Sequence, residues 1–133
     1  MKEQNTMYFD GSCTLNKGER TARYGYIIYF NYGKEIFQGK GIVSISETTT
    51  NNVAEYTALI EGLKRAINVG IKDIIIKGDS MLVVKQVQGV YKVYSKLLIP
   101  LHCTVNELLA QMEVWSIVWV PRQYNKVADR LSR

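Results

Sequence analysis

An α/β domain is predicted by three features of the chain. Three strand-like runs come first, Met7–Ser12, Tyr24–Phe30 and Glu35–Ile45, and the turn Asn31-Tyr-Gly-Lys34 joins the second and third into a hairpin. A helical segment, Val53–Val69, is followed at once by Ile74-Ile75-Ile76. Strand, helix and strand in succession demand a parallel pairing with a right-handed crossover. Two further helical stretches, a last strand at Trp115–Val120 and a short helix then complete the order strand, strand, strand, helix, strand, helix, helix, strand, helix.

The chain has 133 residues, the size of one domain with a core of its own, and residues 1–133 are read as a single unit. Hydrophobic residues make up 47% and aromatic ones 11%, which excludes a disordered chain. No apolar run approaches the roughly 18 residues of a membrane span, and the polar start Met-Lys-Glu-Gln-Asn is no signal peptide. A cytoplasmic setting without membrane contact is therefore expected, and with it free thiols at Cys13 and Cys103.

The first strand ends on Phe9-Asp10-Gly11-Ser12, an apolar run that delivers a carboxylate to an edge. Cys13–Arg23 is polar and contains Gly18, so it reads as a connection. In the hairpin strands, Gly25, Gly39 and Gly41 suggest either bulges and close backbone approach or tolerated edge glycines.

Within the first helix, the spacing from Glu55 through Ala58, Leu59, Gly62 and Ala66 places this acid on the stripe that packs on the sheet. Glu61, Lys64 and Arg65 fall on the opposite face. An inward carboxylate is costly unless it is paired or holds a cation, and the cation is preferred over a structural ion pair. Gly70 is the stop signal. Asp79 follows the next strand, and Ser80 can cap a helix from Met81 to Gln88, which ends at Gly89. The carboxyl end of a strand beside a helix N-terminus is where ligands of open sheets collect.

Val90–Leu97 is an irregular bridge in which Lys92 and Lys96 alternate with Tyr91 and Tyr94, a pattern that suits a nucleic-acid groove or simply a solvated loop. The helix Leu97–Met112 buries Leu98, Leu101, Val105, Leu108, Leu109 and Met112, and carries His102, the only histidine, as a packed or surface residue rather than a catalytic one. Pro121-Arg-Gln-Tyr-Asn is the turn after the last strand, and the helix Lys126–Ser132 bears Asp129.

The charge balance gives these acids meaning. Formal net charge is +5 and the pI about 9.2, which favours a polyanionic partner such as nucleic acid. Aspartate is rare, yet Asp10, Asp79 and Asp129 all stand at strand ends or in turns and helix starts. A basic protein that gathers its acids in this way looks built to hold metal between itself and a phosphate backbone.

With these residues in place, the chain resembles the type 1 ribonuclease H family over nearly its whole length. The resemblance rests on Phe-Asp10-Gly-Ser-Cys, Thr-Thr-Asn51-Asn52-Val-Ala-Glu55-Tyr, Lys-Gly-Asp79-Ser and Val-Pro-Arg122-Gln-Tyr-Asn-Lys-Val-Ala-Asp129-Arg-Leu, all four in this order. It implies a five-stranded mixed sheet with the first strand central and helices on both faces. It also implies an endonuclease, a monomer, acting on the RNA strand of RNA-DNA hybrids with Mg²⁺, two ions in the substrate complex, or Mn²⁺ in its place. By the same matching, Asp10, Glu55, Asp79 and Asp129 are the catalytic, metal-binding carboxylates, and Ser12, Cys13, Asn16, Thr50, Asn51 and Asn52 contact substrate.

Two departures from the family pattern stand out. Arg122 occupies the loop where many members carry a histidine, and it could stabilise charge on a phosphate or merely pin the turn. Val90–Lys96 is too short for a basic helical protrusion, which leaves hybrid binding to lean on Lys85, Lys92 and Lys96. The competing readings are a non-catalytic hybrid-binding module, and a junction resolvase or reverse-transcriptase-derived nuclease on the same fold.

Overall fold

The computed structural model describes residues 4–46 and 50–133. Thr48 and Thr49 of the stretch before the first helix lie outside the described residues. A single five-stranded sheet runs in the order β3-β2-β1-β4-β5, with β1 Thr6–Asn16, β2 Glu19–Phe30, β3 Glu35–Ser46, β4 Asp73–Gly78 and β5 Val114–Trp119. β1 pairs antiparallel with β2 and parallel with β4, so the first strand is central and the sheet is mixed, as expected. The helices are α1 Asn51–Asn68, α2 Met81–Val87, α3 Leu98–Leu109 and α4 Lys126–Leu131, with a 3₁₀ turn at Arg122–Tyr124. None of the described helices is long and apolar enough to cross a membrane.

The largest difference from the sequence reading lies between β1 and β2. Cys13–Arg23 is not a connection: both strands run on through it, with Cys13 opposite Ala22 and Asn16 opposite Glu19. Lys17 (φ 53°) and Gly18 (φ 82°) make the two-residue turn, the left-handed pair that tight hairpins require. Asp10 is consequently not at a strand end. It sits mid-strand opposite Gly25, but just past Phe9, where the pairing with β4 stops. That gap in the ladder opens the sheet beside it.

The core lies between the sheet and α1, with Met7, Phe9, Ile28, Leu59, Leu63 and Ile76 fully buried. The expected stripe on α1 is realised: Glu55, Ala58, Leu59, Gly62 and Ala66 are all buried. α1 closes as predicted, because Gly70 at φ 90° lets the Ile71 N–H donate to the Ala66 carbonyl at 2.9 Å. α3 begins one residue later and ends three earlier than its apolar pattern. Pro100 fits its first turn, where no backbone donor is needed. α4 lies on the opposite face of the sheet, where Gly25 admits it: a Cβ there would stand 2.7 Å from the Ser132 nitrogen.

Candidate active site

Three elements bring three carboxylates together. Asp10 comes from the middle of β1, Glu55 from the second turn of α1 and Asp79 from the residue after β4; one oxygen from each lies within 4.8 Å of the others. Backbone packing sets this convergence. β1 meets α1 at Gly11, whose N–H donates to Glu55 Oε1, and a side chain at that position would collide with the helix backbone. The hydroxyl of Ser132, the buried residue that closes α4, donates to Asp10 Oδ2 at 2.9 Å. The Trp119 indole N–H holds the Asp79 carbonyl at 3.1 Å.

The cluster is electrostatically unfavourable as it stands. Burial, with help from the neighbouring charge of Asp79, pushes the Asp10 carboxyl up to about 7. Burial first, and then the charge of Asp10, hold Glu55 well above the ordinary carboxylate range. Asp79 Oδ2 is buried without a hydrogen-bond partner among the described residues. Three hard oxygen donors, two of them reluctant to ionise and one orphaned, fit a divalent cation, which would supply the missing positive charge.

This predicts how the metal-free protein responds to pH. A carboxyl whose pKa is higher in the folded state holds its proton more tightly there. Its stabilising contribution is therefore complete below about pH 4 and lost as the pH rises through about 7. In chelator the unfolding temperature should fall by about 5 °C or more between pH 5 and pH 8, and Asp10→Asn should remove most of that fall. Thermal unfolding followed by circular dichroism checks this; an equal fall in the wild type and in Asp10→Asn would contradict it.

Asp129, the fourth expected carboxylate, lines the same cleft but stands outside the triad. Its Oδ1 accepts from Arg122 Nη2 at 3.2 Å and its Oδ2 from Arg133 Nη2 at 2.8 Å. Burial works against ionisation there, yet the hydrogen bonds from Arg133 and Arg122 outweigh it and hold the carboxyl below its ordinary value. Arg122 thus lies at the cleft as expected, with its guanidinium engaged by Asp129.

The cleft, of about 480 Å³, is also lined by Ser12, Cys13, Asn51 and Asn52. Capping of α1 falls to Thr50, whose hydroxyl accepts from the Val53 N–H at 3.3 Å, which leaves Asn51 and Asn52 as the first helical residues facing the cleft. Ser80 caps α2 in the same way. Asn16 is exposed at the far end of β1, and Lys92 and Lys96 are exposed on the bridge before α3; none of the three lines the cleft. His102 sits on α3, 3.2 Å from the Gln86 carbonyl, and does not line the acidic cleft.

Three residues of the site had not been singled out. Asn125 donates from Nδ2 to the Phe9 carbonyl at 2.9 Å and anchors the turn after β5 to the strand that carries Asp10. Ser132 and Arg133 hold Asp10 and Asp129. Sequence could have raised Asn125, since a lone Asn after Pro121 and before a helix is a common turn anchor. Arg133 could also have been raised, from its spacing of four residues after Asp129, but nothing in the sequence marks Ser132.

Comparison with known proteins places this geometry. The profile of the family described as reverse transcriptase-like matches residues 8–133. The chain is 37% identical over 125 residues to a ribonuclease HI of Halobacterium salinarum, covering 94% of this chain and 60% of that protein. It therefore spans less than two thirds of that relative's length. Among solved structures, ribonuclease H1 of Halobacterium salinarum superposes with a TM-score of 0.85 at 34% identity, covering 96% of this chain and 93% of that one. LC11-RNase H1, solved in complex with an RNA/DNA hybrid, superposes with a TM-score of 0.83 at 29% identity over 96% and 93% of the two chains.

Proposed function

Because the chain belongs to the reverse transcriptase-like family, the family of the ribonucleases H that it matches, we propose that it is an endonuclease that hydrolyses the RNA strand of RNA-DNA hybrids with divalent metal. The observation that carries this reading is the convergence of Asp10, Glu55 and Asp79 within 4.8 Å at the mouth of an otherwise basic protein. These three residues would hold Mg²⁺, or Mn²⁺ in its place, and Asp129 would join them on leaving its arginines. Ions held there would supply the activation of a water and the stabilisation of the leaving oxygen in an in-line displacement.

The chain's own groups prepare that chemistry. The Gly11 N–H and the Ser132 hydroxyl fix the orientation of Glu55 and Asp10 before any ligand arrives, so little reorganisation is left for the reaction. Ser12, Cys13, Asn51 and Asn52 line the same cleft and would meet the sugar-phosphate backbone, where amide side chains can read a 2′-hydroxyl. A binding module without catalysis would gain nothing from three converging acids, two of them buried, that repel one another. Labelled hybrid, duplex RNA and junction DNA, offered side by side with Mg²⁺ or Mn²⁺, test the reading: cutting confined to the RNA of the hybrid supports it, and cutting confined to junctions overturns it.

Arg122 is permanently charged and cannot shuttle protons, but it can stabilise a phosphate oxygen beside Asp129. Arg122→Ala should lower turnover by roughly ten- to a thousand-fold, while His102→Ala changes little. The reverse pattern, a silent Arg122 and a crippling His102, would place the charge-stabilising group elsewhere. Hybrid affinity should fall steeply with salt, and Lys92→Ala with Lys96→Ala should flatten the slope by up to about two units. An unchanged slope would locate the phosphate contacts away from the bridge before α3.

A further inference from the structure

The side of the sheet turned away from α1 is only partly covered. Strand alternation sends Met7, Phe9, Ile28 and Ile76 into the core and Tyr8, Tyr29 and Lys77 to the opposite face. α4 closes one end of that face over Gly25. Beyond it lies a concavity of about 460 Å³, walled by Tyr8, Tyr29, Tyr32, Tyr124, Lys77 and Lys126 among others. It is distinct from the acidic cleft: the turn Arg122–Asn125 separates the two, with Arg122 on the acidic side and Gln123, Tyr124 and Asn125 on this one.

We propose that this open sheet face is a second nucleic-acid site, one that takes a single strand through its bases. Four tyrosines and two lysines line it with no carboxylate among them, whereas the other cleft holds four carboxylates. The sheet tyrosines Tyr8 and Tyr29 stand perpendicular at 6.0 Å rather than stacked on one another, and Lys77 Nζ lies 5.6 Å from the centre of the Tyr8 ring. Tyrosine rings accept stacked bases of any sequence, and neighbouring lysines meet the phosphates between them. A duplex keeps its base faces stacked inside, so the aromatic lining selects unpaired strands. The space suits one or two bases rather than a helix. The buried Asn125 also borders the concavity, and its Oδ1 lacks a hydrogen-bond partner among the described residues. Charge argues against a second copy of this chain as the occupant, since a two-fold contact here would set Lys77 and Lys126 against their own kind.

The test is fluorescence anisotropy with a labelled single-stranded oligouridylate of about a dozen residues, in chelator so that no cleavage intervenes; bases stack on aromatic groups whatever the sequence. Wild-type protein should bind it. Tyr124→Ala, at a ring 65% exposed and so without consequence for the core, should weaken binding by about 5- to 100-fold. Lys77→Ala with Lys126→Ala should flatten the log–log salt dependence by about 1.4 units. Asp10→Asn should bind like the wild type, which separates this site from the proposed nuclease centre. Absence of binding by the wild type, wild-type affinity in Tyr124→Ala, or loss of binding in Asp10→Asn alone would each overturn the assignment. So would a wild-type dimer in sedimentation that Tyr124→Ala dissolves, because the face would then belong to a second copy.

Discussion

Replacing Asp10 with Asn, or Glu55 with Gln, is expected to abolish cleavage of an RNA-DNA hybrid, with a loss of more than about a thousand-fold. That is the scale of removing several kcal/mol of charge stabilisation from a transition state. The fold should survive. An Asn at position 10 still accepts from the Ser132 hydroxyl, and a Gln at position 55 still accepts from the Gly11 N–H. Stability in chelator should rise, because the substitution removes a charge from a site where burial already disfavours it. Turnover and thermal unfolding measured on the same preparations check both halves. Near-normal turnover in either variant would remove these residues from the catalytic centre, and an unfolded variant would mean that the acids are structural.

Gly11→Ala should be the most damaging single change outside the carboxylates. A Cβ at this position would lie 2.2 Å from the Glu55 nitrogen and 2.3 Å from the Ala54 carbonyl carbon. Both are backbone atoms of α1, so no side chain can swing aside and the helix itself must move. The expected cost is about 3 kcal/mol or more, the upper range of overpacking, with an unfolding temperature lower by about 10 °C. Cleavage should fall as well, since the shifted helix carries Glu55 away from Asp10. Thermal unfolding in chelator separates the structural loss from the catalytic one, and a silent Gly11→Ala would show that β1 and α1 are not so closely packed.

The same contact shows what was legible in the chain. The helical stripe from Glu55 to Ala66 is a local pattern, and it placed the acid on the buried face before any fold was known. Asp79 was equally legible, because a run of isoleucines followed by Gly-Asp-Ser ends a strand and starts a helix within a few residues. The extended β1–β2 ribbon was not. Thr14, Leu15 and Asn16 are all exposed, so no buried apolar stripe marks the strand there, and the polar run around them reads as a connection. Their pairing is held by the backbone ladder and the Lys17-Gly18 turn, with the Arg23 guanidinium donating to the Thr14 hydroxyl at 3.5 Å. The role of Ser132 was hidden for a different reason. Ser132 acts on Asp10 across 122 positions of sequence, a tertiary contact that no local pattern encodes, whereas Arg133 meets Asp129 from four residues away, a spacing the sequence does carry. The ion pair of Asp129 with Arg122 likewise depends on how the turn after β5 is placed against the last helix.

The reading of the three converging carboxylates as a metal-dependent nuclease centre is tested most directly by one measurement. An RNA-DNA hybrid labelled on both strands is incubated with the wild-type protein in chelator, and Mg²⁺ is then added in excess. The RNA strand should remain intact in chelator, be cut internally once Mg²⁺ is added, and leave the DNA strand whole throughout. Cleavage that proceeds in chelator, or a hybrid left intact after Mg²⁺ and then Mn²⁺ are supplied, would contradict the assignment of Asp10, Glu55 and Asp79 to that chemistry.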